Sequence, residues 1–234
     1  MFIYQEKNGY CYNSDTLFLY DFISKFSPKG DILDIGCGCG VLGLLIKENF
    51  QVNLTGIDIQ KNSIFLSKIN AKNNNLKAEF ICDDFLRYKF DKKFDFIVSN
   101  PPFYKADNKQ SKNLSKKISR FNDSLPLEDF VKKCNSLLKP RGELIFCYSS
   151  SEADRVFALL ENYKIKVNEI RWLHPKVDKN ATIVMIRAKK SSKSMLKCLS
   201  PLITHIDGEF SDEVKGIYEK IGLKSLKCDL GYGV

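Results

Sequence analysis

The sequence predicts an α/β fold: a mostly parallel sheet of seven strands, helices on both faces and an antiparallel hairpin at the sheet edge. Three observations carry this. Short apolar runs alternate with helical patterns from Ile32 to Asn162, which is the rhythm of strand–helix–strand units and a parallel sheet. The turn out of the first strand is rich in glycine, as expected where a strand feeds directly into a helix. The last two long apolar runs follow one another without a helix, so they pair most simply as an antiparallel hairpin.

The elements follow in order. Residues 1–30 begin with an aromatic, polar segment, and a helix is expected over Ser14–Phe26, stopped before Pro28. Ile32–Ile35 reads as a buried strand, Gly40–Glu48 as a helix, Val52–Ile59 as a strand and Lys61–Asn73 as a helix. Ala78–Cys82 and Phe94–Ser99 are strands, followed by a polar, basic loop over 104–123. Pro126 opens a helix to about Leu138, and Lys139-Pro140-Arg141-Gly142 makes a turn into the strand Glu143–Tyr148. Ser151–Asn162 is an amphipathic helix with Ser150 or Ser151 as its N-cap. Lys166–Leu173 and Thr182–Lys189 form the hairpin, and residues 190–234 are expected as a C-terminal extension with a short helix over Ser211–Ile221. No repeat or linker divides the chain, so 1–234 is read as one domain.

The 234 residues are 44% hydrophobic, enough to bury a core without disulfides and too apolar for a disordered chain. No apolar run approaches the roughly 20 residues of a membrane span, and the N-terminus has no signal-peptide pattern. The eight cysteines show no zinc spacing, since Cys37-Gly-Cys39 is too tight and His174 and His205 stand apart. They read as reduced thiols of a cytoplasmic protein, with no metal expected. The net charge of +9 is uneven. Residues 105–120 carry Lys105, Lys109, Lys112, Lys116, Lys117 and Arg120 against Asp107. Residues 176–197 carry seven basic residues against Asp178. Two basic segments on a near-neutral body point to a polyanion such as nucleic acid, because clustered lysine and arginine displace counterions from phosphates.

Two motifs carry chemistry. Asp34-Ile-Gly36-Cys-Gly38-Cys-Gly40 leaves a strand and enters a helix, where glycines let the backbone approach a ligand and the helix N-terminus offers free N–H groups. The next strand ends in Gly56-Ile57-Asp58-Ile59, which places an acid where it can accept ribose hydroxyls of an adenosine-containing cofactor. This pair leaves open a nicotinamide dinucleotide or S-adenosylmethionine. Ser99-Asn100-Pro101-Pro102-Phe103 ends the fourth strand and decides between them. Prolines withhold N–H donors, so carbonyls and the Asn100 amide oxygen face a ligand as acceptors, and Phe103 offers a ring to stack on. Such a site suits a planar base bearing an NH₂ group, held so that its lone pair meets an electrophilic methyl.

With Asp34–Gly40, Asp58 and Asn100–Phe103 in this order, the chain resembles the Rossmann-like methyltransferases that use S-adenosylmethionine to methylate amino nitrogens. Gly9–Leu19, Leu173-His174-Pro175-Lys176 and Leu199-Ser-Pro201-Leu-Ile extend the likeness to the bacterial tRNA (adenine-N6)-methyltransferases that modify the adenine beside the anticodon of valine tRNA. The resemblance implies that Gly36, Gly38 and Gly40 line the methionine moiety and that Asp34 and Ile59 belong to the same cofactor site. It implies that Asp58 holds the ribose and that Asp83 or Asp84 meets the cofactor adenine. Asp15 then closes the pocket from the N-terminal segment, Asn100 is counted with the cofactor site as well, and Asn100, Pro101, Pro102 and Phe103 hold the target base. Lys116-Lys-Ile-Ser-Arg120 stands where relatives often carry an Arg-His pair, and the loop 105–120 would bind phosphates beside the cleft. The neighbouring readings are methylation of guanine N2 in rRNA or of a protein glutamine. A non-catalytic RNA-binding module is the alternative of another class. Monomer and homodimer are both compatible with the sequence.

Overall fold

The computed structural model describes residues 1–7, 12–101 and 125–229. Its main sheet is built from β2 (Gly30–Ile35), β3 (Val52–Asp58), β4 (Ala78–Cys82), β5 (Phe94–Ser99), β6 (Leu138–Ser149), β7 (Ile165–Lys176) and β8 (Ile183–Lys190). These are the seven expected strands, and their spatial order is β4-β3-β2-β5-β6-β8-β7. Strands β4 to β6 are parallel, and β8 runs antiparallel to both β6 and β7. The carboxyl ends of β2, β3 and β5 therefore lie side by side, which is where a doubly wound sheet binds ligands.

Both faces of the sheet are covered. Along β5 and β6 alternate residues point to opposite sides: Ile97, Leu144 and Phe146 join one cluster, Val98, Ile145 and Cys147 the other. The first face is packed by α4 (Leu127–Leu137) and α5 (Ala153–Asn162), through Phe130, Val131, Val156 and Leu160. The second is packed by α1 (Ser14–Ser24), α2 (Val41–Asn49) and, through Ile64 and Leu66, α3 (Lys61–Asn73). Phe22, Leu44, Ile46 and Phe146 are fully buried, each worth about 1.5–3 kcal/mol in apolar area removed from water.

The hairpin is not at the edge. Strand β10 (Leu202–Ile206) adds parallel to β7, pairing Leu202 with Leu173, and β11 (Glu209–Phe210) follows it outward. The two-residue strand β9 (Lys197–Cys198) also pairs with β7. The extension past residue 190 thus continues the sheet, which the sequence reading missed because these segments are too short and polar to show alternation. Arg171 on β7 ties it down: 4% exposed, it donates to Ser200 O at 3.0 Å and to Glu213 at 2.6 Å in α6 (Asp212–Ile221). Ser211 caps α6, accepting from Val214 N. By contrast, Ser150 and Ser151 do not cap α5; they open a 3₁₀ turn, Ser150–Glu152, in front of it.

The two ends of the chain pair with each other. Strand β1 (Phe2–Glu6) runs parallel to β12 (Lys224–Cys228) in a separate two-stranded sheet. On its other edge, among the described residues, side chains of α3 take the place of a strand neighbour. Asn74 accepts from Phe2 N at 2.9 Å and donates to Phe2 O at 2.7 Å. Asn70 accepts from Tyr4 N at 2.8 Å and donates to Tyr4 O at 3.0 Å. The two amides, one helical turn apart, meet alternate residues of a strand as a β-ladder would. Asn70, fully buried, also donates to Cys39 O at 2.9 Å and so joins the N-terminal strand to the glycine turn. Asn70→Ala strands three backbone groups, and the expected cost is about 2–3 kcal/mol in urea unfolding, against well under 1 kcal/mol for an exposed α3 site such as Lys72→Ala.

Candidate active site

The glycine turn occupies the gap between β2 and α2. Gly36, Gly38 and Gly40 all have positive φ (66°, 53° and 86°). Gly40 is the most constrained, since a Cβ there would come within 3.2–3.3 Å of Leu44, Ser67 and Phe80. Gly38 faces open space, which leaves its backbone accessible to a ligand. Backbone bonds from Gly36 N and Cys37 N to Ile57 O fasten the turn to the end of β3.

Two carboxyl groups hold this turn. Asp34, 2% exposed, accepts from Gly43 N at 3.0 Å and so caps the first turn of α2. Burial pushes its carboxyl up to about 7, against the Gly43 bond, with the nearby Asp58 adding to the rise. Asp58, 5% exposed at the end of β3, accepts from Gly38 N at 2.9 Å and Gln60 N at 2.8 Å. Its pKa is also raised by burial, with the bonds from Gln60, Gly38 and Ile59 opposing.

The cleft beside them is lined by Ile35, Gly36, Ile57, Asp58, Ile59, Asp83, Asp84, Phe85 and Leu125. Both acids that the sequence left in competition reach it. Asp84 is partly engaged, accepting from Leu86 N at 2.8 Å and pairing with Arg87 at 3.4 Å, whereas Asp83 is exposed and accepts from Asp84 N. Ile59, half exposed, gives the cleft an apolar wall. The lining fits a nucleoside bearing a positive charge: acceptors for hydroxyl and amino hydrogens, an apolar slot for a ring, and the buried carboxyl of Asp58, whose ionised form a neighbouring cation would favour.

Asn100 follows directly. Ser99 ends β5, fully buried, and donates to Ile35 O at 2.8 Å, locking the strand end against β2. Its neighbour Asn100 is half-buried, with its amide in contact with Thr16 and Cys147. Asp15, beside Thr16, accepts from Asn13 at 2.6 Å and has its pKa raised by burial. The first turn of α1 thus reaches Asn100 from the N-terminal segment. Pro101 is buried. Pro102, Phe103 and the basic residues Lys105, Lys109, Lys112, Lys116, Lys117 and Arg120 lie outside the described residues. Thr16 and Cys147 were not singled out from the sequence, where Thr16 is one residue of the Gly9–Leu19 segment and Cys147 one of a predicted strand.

The second basic segment needs correction as a single surface. Arg187 bonds Glu143 through two nitrogens at 2.7 Å, pairs with Glu169 at 3.0 Å and lies 4.1 Å from the Phe26 ring centre. Lys189 pairs with Glu143 at 3.0 Å, and Lys190 donates to Asn135 O and Leu138 O near the end of α4. Burial would raise the Glu143 carboxyl, but Arg187 and Lys189 bring it below its usual range. Their partners lie in other parts of the chain, so a count within residues 176–197 overstated the free charge. Because β8 is antiparallel, Lys189–Lys193 also stand at the opposite end of the sheet from Asn100, while Lys176 and Lys179 stand at the same end. His174 is held through Nδ1 against Lys179 O at 2.8 Å, and Trp172 is partly buried against the core.

Comparison with known proteins agrees with this geometry. The Methyltransferase small domain family profile matches residues 13–166. A tRNA1(Val) (adenine(37)-N6)-methyltransferase of Flavobacterium johnsoniae is 25% identical over 227 residues, covering 93% of this chain and 96% of its own. Its counterpart from Flavobacterium psychrophilum is 25% identical over 199 residues, covering 81% and 84%. Among solved structures, a predicted O-methyltransferase of Agrobacterium tumefaciens superposes with a TM-score of 0.66 at 16% identity, over 91% of this chain and 99% of that one, a likeness of fold.

The buried Asp34 makes a pH signature. In the unfolded chain its carboxyl ionises near 3.8, while in the folded protein it keeps its proton to about 7. Its contribution to stability is complete below pH 4 and is lost as pH rises to 7, at up to about 1.4 kcal/mol per pH unit. Asp34→Asn retains an acceptor for Gly43 and does not titrate. In urea unfolding the variant is expected to gain on the parent between pH 4.5 and pH 7.5; an equal difference at both values would refute the shift.

Proposed function

The chain belongs to the Methyltransferase small domain family, and we propose that it transfers a methyl group from S-adenosylmethionine to the N6 amine of an adenine in tRNA. The observation that carries this reading is the placement of Asn100 at the end of β5, next to the glycine turn and the acid-lined cleft at the ends of β2 and β3. The near full-length similarity to enzymes named for adenine N6 in valine tRNA supports the substrate.

S-adenosylmethionine, when bound, supplies the electrophilic methyl. Asp58 would take the ribose hydroxyls, Asp83 or Asp84 the adenine amino group, and the backbone of Gly36–Gly40 the methionine portion. The Asn100 oxygen and the Pro101 carbonyl would accept the two hydrogens of the target amine. Gripped there, the nitrogen is biased toward a tetrahedral shape and its developing positive charge meets acceptors already in place. The base would stack on Phe103. A proton leaves the methylated amine to water, so no side chain need act as a base. Lysines of the 105–120 loop, with Lys176 and Lys179 at the same end of the sheet, would contact phosphates and give binding its salt dependence.

The test is methyl transfer from labelled S-adenosylmethionine to unmodified total tRNA, with nucleoside analysis. Labelled N6-methyladenosine is the expected product. Asn100→Ala should lose at least 100-fold in kcat with cofactor affinity within about threefold of the parent, whereas Asp58→Ala should weaken cofactor binding at least tenfold by calorimetry. Cofactor binding without transfer to any tRNA would remove tRNA as the substrate.

A further inference from the structure

The amide of Asn100 is held at both ends by residues from distant parts of the chain. Its Nδ2 donates to Thr16 Oγ1 at 2.9 Å, and its Oδ1 accepts from Cys147 Sγ at 2.8 Å. Both partners are buried, Thr16 at 6% exposure and Cys147 at 1%. The sheet register explains the second contact: Ser99 pairs with Phe146 across parallel β5 and β6, so the next residues, Asn100 and Cys147, are lateral neighbours. The first turn of α1 brings Thr16 to the same point.

An amide carries a donor and an acceptor of nearly equal shape, and packing alone does not distinguish one orientation from its flip. The threonine hydroxyl can play either part, whereas a protonated thiol has a hydrogen to donate and only a weakly accepting sulfur. Burial, with Asp15 nearby, pushes the Cys147 pKa well above its ordinary value, so the sulfur keeps its proton and presents a donor. The end of the amide beside it is therefore the oxygen. A carbonyl oxygen has two lone pairs, and one is left for a ligand. A flipped amide would exchange the S–H···O bond for a weak N–H···S contact and would set its N–H groups against an incoming NH₂, with no acceptor there.

We infer that Thr16 and Cys147 are positioning residues that fix the orientation of the Asn100 amide so that its oxygen faces the amine to be methylated. The inference rests on the reading of Asn100 as the acceptor for that amine. Neither residue touches the reacting atoms; their effect runs through Asn100.

The experiment compares Thr16→Val, which keeps the shape and removes the hydroxyl, with Thr16→Ser, which keeps the hydroxyl, and with Cys147→Ala. Each is assayed with unmodified tRNA and S-adenosylmethionine, beside thermal unfolding. Thr16→Val and Cys147→Ala are expected to lose about tenfold in kcat, with KM for tRNA and cofactor affinity within twofold of the parent. Thr16→Ser should recover at least half of the parental kcat. Parental turnover in both Thr16→Val and Cys147→Ala would overturn the inference. So would equal losses in Thr16→Val and Thr16→Ser, which would mean that a hydroxyl at this position does not by itself sustain turnover. Asn100→Ala separates the two levels of the argument. If that variant remains active, the role of Asn100 itself is wrong; if it is inactive while Thr16→Val and Cys147→Ala are unimpaired, the orienting role alone fails.

Discussion

The site depends on a glycine turn held in place by carboxyl groups buried at a cost. Asp34 and Asp58 stand at the ends of adjacent strands, and each spends oxygen atoms on backbone N–H groups of the turn or of the helix behind it. Without those bonds Gly38 N in the turn and Gly43 N in the helix would lose their acceptors, and the buried one, Gly43, would cost roughly 1–3 kcal/mol. Burying two acids beside one another is unfavourable in turn, and their raised pKa values record it. A cationic ligand would relieve that tension, so the constraint that shapes the turn also prepares the cleft for positive charge.

The N-terminal segment is structurally part of this arrangement. Asn70 joins Tyr4 in β1 to Cys39 in the glycine turn, and the first turn of α1 carries Thr16 to Asn100. Pairing of β1 with β12 adds the far end of the chain. Elements that flank the sheet therefore contact both halves of the cleft, through side-chain amides that substitute for strand neighbours.

Charge behaves differently from what a linear count suggests. Arg187, Lys189 and Lys190 are consumed by Glu143, Glu169 and carbonyl groups near the end of α4. Partly buried pairs of this kind contribute little net stability but leave a costly charge if one partner is removed. Of the described basic residues in 176–197, Lys176 and Lys179 stand at the cleft end of the sheet, Lys179 beside Asp178 at 3.6 Å.

Most of the framework was legible in the sequence, because it rests on periodicity and on residues that act locally. Alternating strands and helices, the glycine turn of Gly36–Gly40, Asp58 at a strand end and Asn100 before two prolines each leave a mark within a few neighbours. These determined the fold class and the strand ends at which the cleft lies. Two expectations missed because they depended on partners far along the chain: the hairpin at the sheet edge, covered by β10 and β11, and the free charge of residues 187–190. Tertiary structure alone decided which acids pair with Arg187, how Asn70 and Asn74 complete a strand, and which partner each end of the Asn100 amide meets. Nothing local to Thr16 or Cys147 marks either as a partner of Asn100; strand register and helix packing bring them to it across 84 and 47 residues. Local pattern records where the chain turns and what it buries, whereas an orientation set by two distant hydrogen bonds exists only once those segments have met.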